Sequence, residues 1–194
     1  MVSLSVAVDH ELEWWRPLVS WLVHLPKLLW GVVLSGVSIP VHLVAVACVL
    51  ATGRRPEWIA RFHVYALEWR AVAYGVLFAL AREPRASFDV TPVQPLSRAD
   101  AITRPIGALP HVAYLLPIGA CLDLLLPVWL LVAAVNRGWP TPLLRTLVAV
   151  ERWVVELILW GTMTVNEKPA FGLAAHTPSS IAAKRGKSVE EITG

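Results

Sequence analysis

Between Arg104 and Arg137 the only formal charge is Asp123, and between Arg16 and Arg54 it is Lys27. An ionisable group set in so long an apolar run is costly unless it faces the protein interior and finds a partner. Such a group marks a structural clamp or a path for a proton, an ion or a lipid headgroup. A further set of charges follows each run: Arg61, Glu68 and Arg70 after the first, Arg145, Arg152 and Glu156 after the second. With Asp123 they make a candidate intramembrane polar seam. Glu68 and Arg152 have opposite signs at equivalent positions of an internal repeat, which predicts that they pair. Arg70 or His42 is the expected partner of Asp123.

No motif with a known mechanism accompanies these charges. His-Glu-x-x-His, Gly-x-Ser-x-Gly, Cys-x-x-Cys, a Walker-type loop and Gly-x-Gly-x-x-Gly are all missing from the sequence. No catalytic, cofactor-binding or metal-ligating residue is therefore assigned, and no cofactor is expected. His24, His42, His63 and His111 show no ligand spacing and read as packing or interfacial residues. Cys48 and Cys121 lie inside apolar runs and read as small buried hydrophobes. A net charge of +3 is too small to argue for nucleic acid, and the basic residues collect in loops and the C-terminal tail.

The elements that must position these residues come in two copies. Leu25-Pro26 returns as Leu109-Pro110, Pro56 as Pro140, Arg61 as Arg145, Trp69 as Trp153 and Glu83 as Glu167, each 84 positions later and without a gap. A repeat fixes the unit of folding before any other reading. Each unit opens on a boundary segment; Trp14, Trp15 and Trp21 around Arg16 suit the headgroup layer. Lys27 then marks the hydrocarbon boundary. A long apolar helix follows, Leu28 to Thr52 and Val112 to Asn136. Each is long enough to cross a core of roughly 30 Å. Asp123 falls near the centre of the second. Pro40 and Pro127 remove backbone bonds and should kink both spans. Gly53-Arg54-Arg55-Pro56 and Arg137-Gly138-Trp139-Pro140 read as stops and turns.

A second, less apolar helix closes each unit, Glu57 to Ala81 and Pro142 to Val165, the latter with Thr141 as N-cap. Trp58, Phe62, Tyr65 and Trp69 form an aromatic stripe on it, and Ala71, Gly75 and Ala79 a small-residue ridge that admits another helix. If these helices rested at the interface, two full spans or re-entrant pieces would remain. The organisation is a polar segment 1–13, membrane repeat 14–90, linker 91–103, membrane repeat 104–171 and polar tail 172–194. With 56% apolar and only 16% charged residues, the chain lacks the charge a soluble domain of this size carries. The fold class expected is an all-α integral membrane protein of about four transmembrane helices. Asp9, Glu11 and Glu13, with no basic residue before Arg16, argue against a cleaved signal. Basic residues at 16, 82, 85, 98 and 104 and in the tail place both termini in the cytoplasm of a multi-pass inner-membrane protein.

Leu25-Pro26, the turn Gly53-Arg54-Arg55-Pro56, Glu68-Trp69-Arg70 and Glu83-Pro84 with Phe88 resemble the bacterial membrane family catalogued as domain of unknown function 4389. That pattern has Tyr where Arg55 stands and Arg-Trp where repeat one has Glu68-Trp69-Arg70. Repeat two keeps Arg152-Trp153 and closes on Glu167-Lys168-Pro169-Ala170-Phe171. The resemblance covers most of the chain as two copies and implies a membrane protein without assigned chemistry. The expected function is a non-enzymatic accessory or scaffold subunit in membrane lipid, bound to other membrane subunits or to itself. A small oligomeric transporter using the charged seam is the alternative. A lipid-directed enzyme using carboxylates near the interface is a third reading.

Overall fold

Left-handed residues end the two long apolar segments, Gly53 at φ 69° and Arg137 at φ 53°. Each is followed by an extended proline that opens the next helix, Pro56 and Pro140. Glycine takes that conformation without penalty, whereas Arg137 adopts it at some cost. The computed structural model describes residues 13–78 and 96–176. Among these the protein is all-helical: α1 (Arg16–Val23), α2 (Leu25–Thr52), α3 (Glu57–Leu77), α4 (Asp100–Leu124), α5 (Leu126–Asn136), α6 (Thr141–Gly161) and a short 3₁₀ turn, Leu173–His176.

The repeat recurs in the element bounds. Arg16 and Asp100, Thr52 and Asn136, Glu57 and Thr141, and Leu77 and Gly161 each differ by 84. Thus α1 with α2 corresponds to α4 with α5, and α3 to α6. What differs is where the long segment breaks. In repeat one the break is at His24, and α2 runs on through Pro40; in repeat two it is at Leu125. Pro105, Pro110 and Pro117 are all carried inside α4. Pro127 sits in the first turn of α5, where its missing N–H costs nothing. The long helix of repeat two is therefore Asp100–Leu124, not the expected Val112–Asn136, and the expected boundary segment at 104–111 is part of it. Asp123 moves from mid-span to the last turn. The expected cap at Thr141 shifts by one: Pro140 is the N-cap and Thr141 the first helical residue.

Two helices are long and apolar enough to cross a membrane, α2 and α4, with mean hydropathy 2.3 and 1.5. They lie outermost; α2 buries only Gly31, Leu34, Ala45 and Val49. By contrast α3 and α6 bury residues along their whole length.

The hairpins run in opposite directions. The first tip meets the end of the second hairpin: Leu96 N–H donates to the Gly53 carbonyl, and Met163 packs with Val49 and Ile59. The second tip meets the end of the first, with the Trp139 and Phe78 rings 6.0 Å apart. These contacts are images of each other, because Arg55 with Thr162 and Trp139 with Phe78 are 84-offset pairs. An approximate two-fold axis thus relates the repeats, and it inverts them. Arg16, Phe78 and Trp139 belong to one end of the bundle, and Gly53, Asp100 and Thr162 to the other. The expected arrangement, with the N-terminal segment and the close of repeat two on one side, is corrected.

Inversion also explains the swapped packing. In repeat one α1 lies on α5 of repeat two, and the start of α4 lies on the last turns of α2, with Ala101 among Ala45 and Val49.

Candidate functional site

Ala71 and Val155 are equivalent residues, and they meet in one apolar cluster with Leu67 and Leu159. That contact marks where α3 and α6 cross on the axis. The small-residue ridge is therefore spent inside the protein, at Ala71 and Gly75; Ala79 lies outside the described residues. Beside the crossing, Arg70 Nη2 donates to Glu151 Oε2 at 3.1 Å, and its guanidinium lies 4.6 Å over the Tyr74 ring.

This pair replaces the expected Glu68–Arg152 pair. Both of those residues stand three positions before the crossing residue of their own helix. In antiparallel helices that puts them on opposite sides of the crossing, about 9 Å apart along the axis at 1.5 Å per residue. Equivalent positions meet only on the axis itself. Glu68 and Arg152 each have a partner elsewhere in the chain. Asp123 is exposed beside the helix break, and its charge is felt at Tyr74, not by direct contact with Arg70 or His42. Arg61 pairs with Glu57 at 2.7 Å on the exposed first turn of α3, and Arg145 is exposed. The seven expected seam residues are thus dispersed.

A second cluster forms on Trp153, which is fully buried. Its indole N–H donates to His111 Nδ1 at 3.0 Å. An indole nitrogen only donates, so Nδ1 of His111 must carry a lone pair. Around the indole stand Tyr114 and Phe171 at 5.5 Å, and His176 stacked at 5.2 Å and 12°. Nε2 of His176 lies 3.2 Å from Glu156 Oε2, without the alignment of a hydrogen bond, and Nδ1 donates to the Gly172 carbonyl. Residues 171–176, expected as the start of a solvated tail, are thus docked on α6.

Two buried arginines hold the last turn of α6 and the residues just after it. Arg104 donates to the Trp160 and Val165 carbonyls and to Asn166 Oδ1, and keeps Asp100 at 3.1 Å. Arg55 donates to the Thr162 carbonyl at 2.6 Å and to Thr164 Oγ1 at 2.9 Å. Cations belong at a helix C-terminus, where carbonyls lack partners. Burial, then the Arg104 charge, hold the Arg55 guanidinium down at about 10. Its folded value lies below the ordinary 12.5, so carrying the charge costs stability below pH 10, and that cost fades as pH rises from 10 towards 12.5.

Sequence reasoning missed Glu151, His176 and the clamping roles of Arg55 and Arg104, because each acts across repeats. One signal was available: Arg55 stands where repeat two has Trp139. The three buried clusters do one kind of work, joining helix to helix or tail to helix. No family model, curated relative or solved structure matches this chain.

Proposed function

We propose that this protein is a non-enzymatic, multi-pass inner-membrane protein that serves as an accessory or scaffold subunit of a larger membrane assembly. The observation that carries the reading is how apolar and polar groups are divided. The outer helices α2 and α4 turn large apolar residues outward, among them Val32, Ile39, Leu43, Leu109 and Leu116, whereas the buried charges at Arg70, Glu151, Arg55 and Arg104 bond inside the bundle. An apolar flank on both sides fits membrane lipid and neighbouring helices. Gly36 and Gly119 open gaps on that flank, since an added Cβ at either meets nothing within 4 Å. A partner helix approaches closely at such gaps. In this reading α2, α3, the α4–α5 segment and α6 all cross, in keeping with the resemblance to domain of unknown function 4389.

Among the described residues the Gly53 end carries Arg54, Arg55, Arg61, Arg98, Arg104 and Lys168, against Arg16, Lys27, Arg137 and Arg145 towards the other. The excess supports a cytoplasmic Gly53 end.

Affinity purification from native membranes into lipid nanodiscs, read by mass spectrometry for protein and lipid together, tests the proposal. A stoichiometric protein partner, lost on Gly36→Leu or Gly119→Leu while the bundle stays folded, is the expected result. A self-associated protein carrying a specific ion or lipid would overturn it. That outcome would favour the small transporter, which the inverted repeats support, because some transporters bind substrate between such halves.

A further inference from the structure

His42 on α2 and His63 on α3 face each other inside the first hairpin, their ring centroids 5.9 Å apart and their planes at 80°. His63 is 2% exposed, and its Nδ1 lies 2.9 Å from the Ile59 carbonyl. A carbonyl only accepts, so Nδ1 carries the proton and Nε2 holds a lone pair. That Nε2 is buried and has no hydrogen-bond partner, and the same is true of Nδ1 of His42. Buried polar atoms are nearly always satisfied, so two neighbouring imidazole nitrogens left without a donor call for a ligand.

The second repeat supplies an internal control. Positions 84 later are Leu126 and Leu147, and both pack in the apolar cluster beneath Trp139. The hairpin therefore folds with leucine at these sites, and packing does not explain the histidines.

The chemistry of the pair selects the ligand. Among the described residues no third histidine, cysteine or carboxylate completes a metal-binding group there. The Arg55 charge acts on both rings, which disfavours a dication. Two neutral nitrogens, no anionic donor and an apolar surround (Val41, Ala45, Val46 and Ile59) fit a monovalent ion satisfied by two ligands. Two imidazoles joined through one ion at metal–nitrogen distances near 2 Å place their centroids about 6 Å apart. We propose that His42 and His63 form a two-coordinate site for copper(I). The site stands whether or not the protein is a scaffold.

The test uses the full chain in nanodiscs, with Cys48→Ala and Cys121→Ala to remove competing thiols. Copper(I) is titrated anaerobically against a chromophoric chelator. One equivalent should bind at least a hundredfold more tightly than in the same protein carrying His42→Leu and His63→Leu, the residues repeat two already uses. X-ray absorption on the loaded protein reads the site without any histidine variant and should show two nitrogen neighbours. Equal binding with and without the two histidines, or a first shell of sulfur or of three or more ligands, overturns the proposal. A bridging water only, with no copper retained against the chelator, overturns it as well.

Discussion

At the residue scale, Trp153 and the His42–His63 pair ask opposite things of the same chemistry. Trp153 satisfies His111 with an N–H and fills the space between α4, α6 and the docked 171–176 segment. Trp153→Phe keeps most of the apolar contact but leaves a buried imidazole nitrogen without its donor, at a cost of about 1–3 kcal/mol. Thermal unfolding in detergent should show that loss, and limited proteolysis should cut after Phe171 more readily, because the stacked platform under His176 shrinks. In metal-free protein the histidine pair runs the other way. Two buried unsatisfied nitrogens each carry a cost of that order, so His42→Leu with His63→Leu should raise the unfolding temperature. If copper(I) is the ligand, adding it should raise the parent's temperature and leave the double variant where it is. A double variant less stable than the metal-free parent would mean that the histidines are structural.

Elements read from single helices were legible in the sequence; contacts between repeats were not. The start of α3 and the ends of α2 and α5 follow from glycine, proline and polarity, which act locally. The break in repeat two was misplaced because four prolines crowd the α4–α5 segment, and only Pro127 falls where a new helix begins. Arg70–Glu151 was missed because it requires knowing that α3 and α6 are antiparallel, a property no local pattern encodes. His42 and His63 likewise carry no ligand spacing, since they sit on different helices. Glycines make the packing testable at this scale. A Cβ at Gly31 would meet Ala73 Cβ at 3.0 Å, and one at Gly107 would meet the Trp160 ring at 2.9 Å. Gly31→Leu should push α2 off α3 and cost about 1–3 kcal/mol, as overpacking does. Gly36→Ala, with open space at its Cβ, should be neutral or stabilising by about 0.5–1 kcal/mol, the ordinary gain of alanine over glycine in a helix. A parallel loss at both sites would mean that α2 does not lie where Gly31 touches Ala73.

For the whole molecule the two-fold axis relates chemically unlike ends. Around the first tip the clamp is Arg55 on Thr162 and Thr164; at the equivalent place on the other end it is Trp139 against Phe78. Repetition supplied the geometry, and divergence made one end polar and basic and the other aromatic. A bundle with such ends has a reason to sit one way in a membrane, basic end inward and aromatic end in the opposite headgroup layer. The prediction concerns single cysteines placed at Arg54 and at Arg137, in protein lacking Cys48 and Cys121. Both sites are exposed, one at each hairpin tip. In right-side-out vesicles a membrane-impermeant thiol reagent should label the cysteine at 137 and spare the one at 54, and inverted vesicles should reverse the pattern. Parallel hairpins would label both from one side, because their tips would share it. A bundle lying flat on the surface would do the same for a different reason, and its α2 positions 32 and 43 would then differ in lipid exposure. Opposite labelling is compatible only with inverted hairpins that cross.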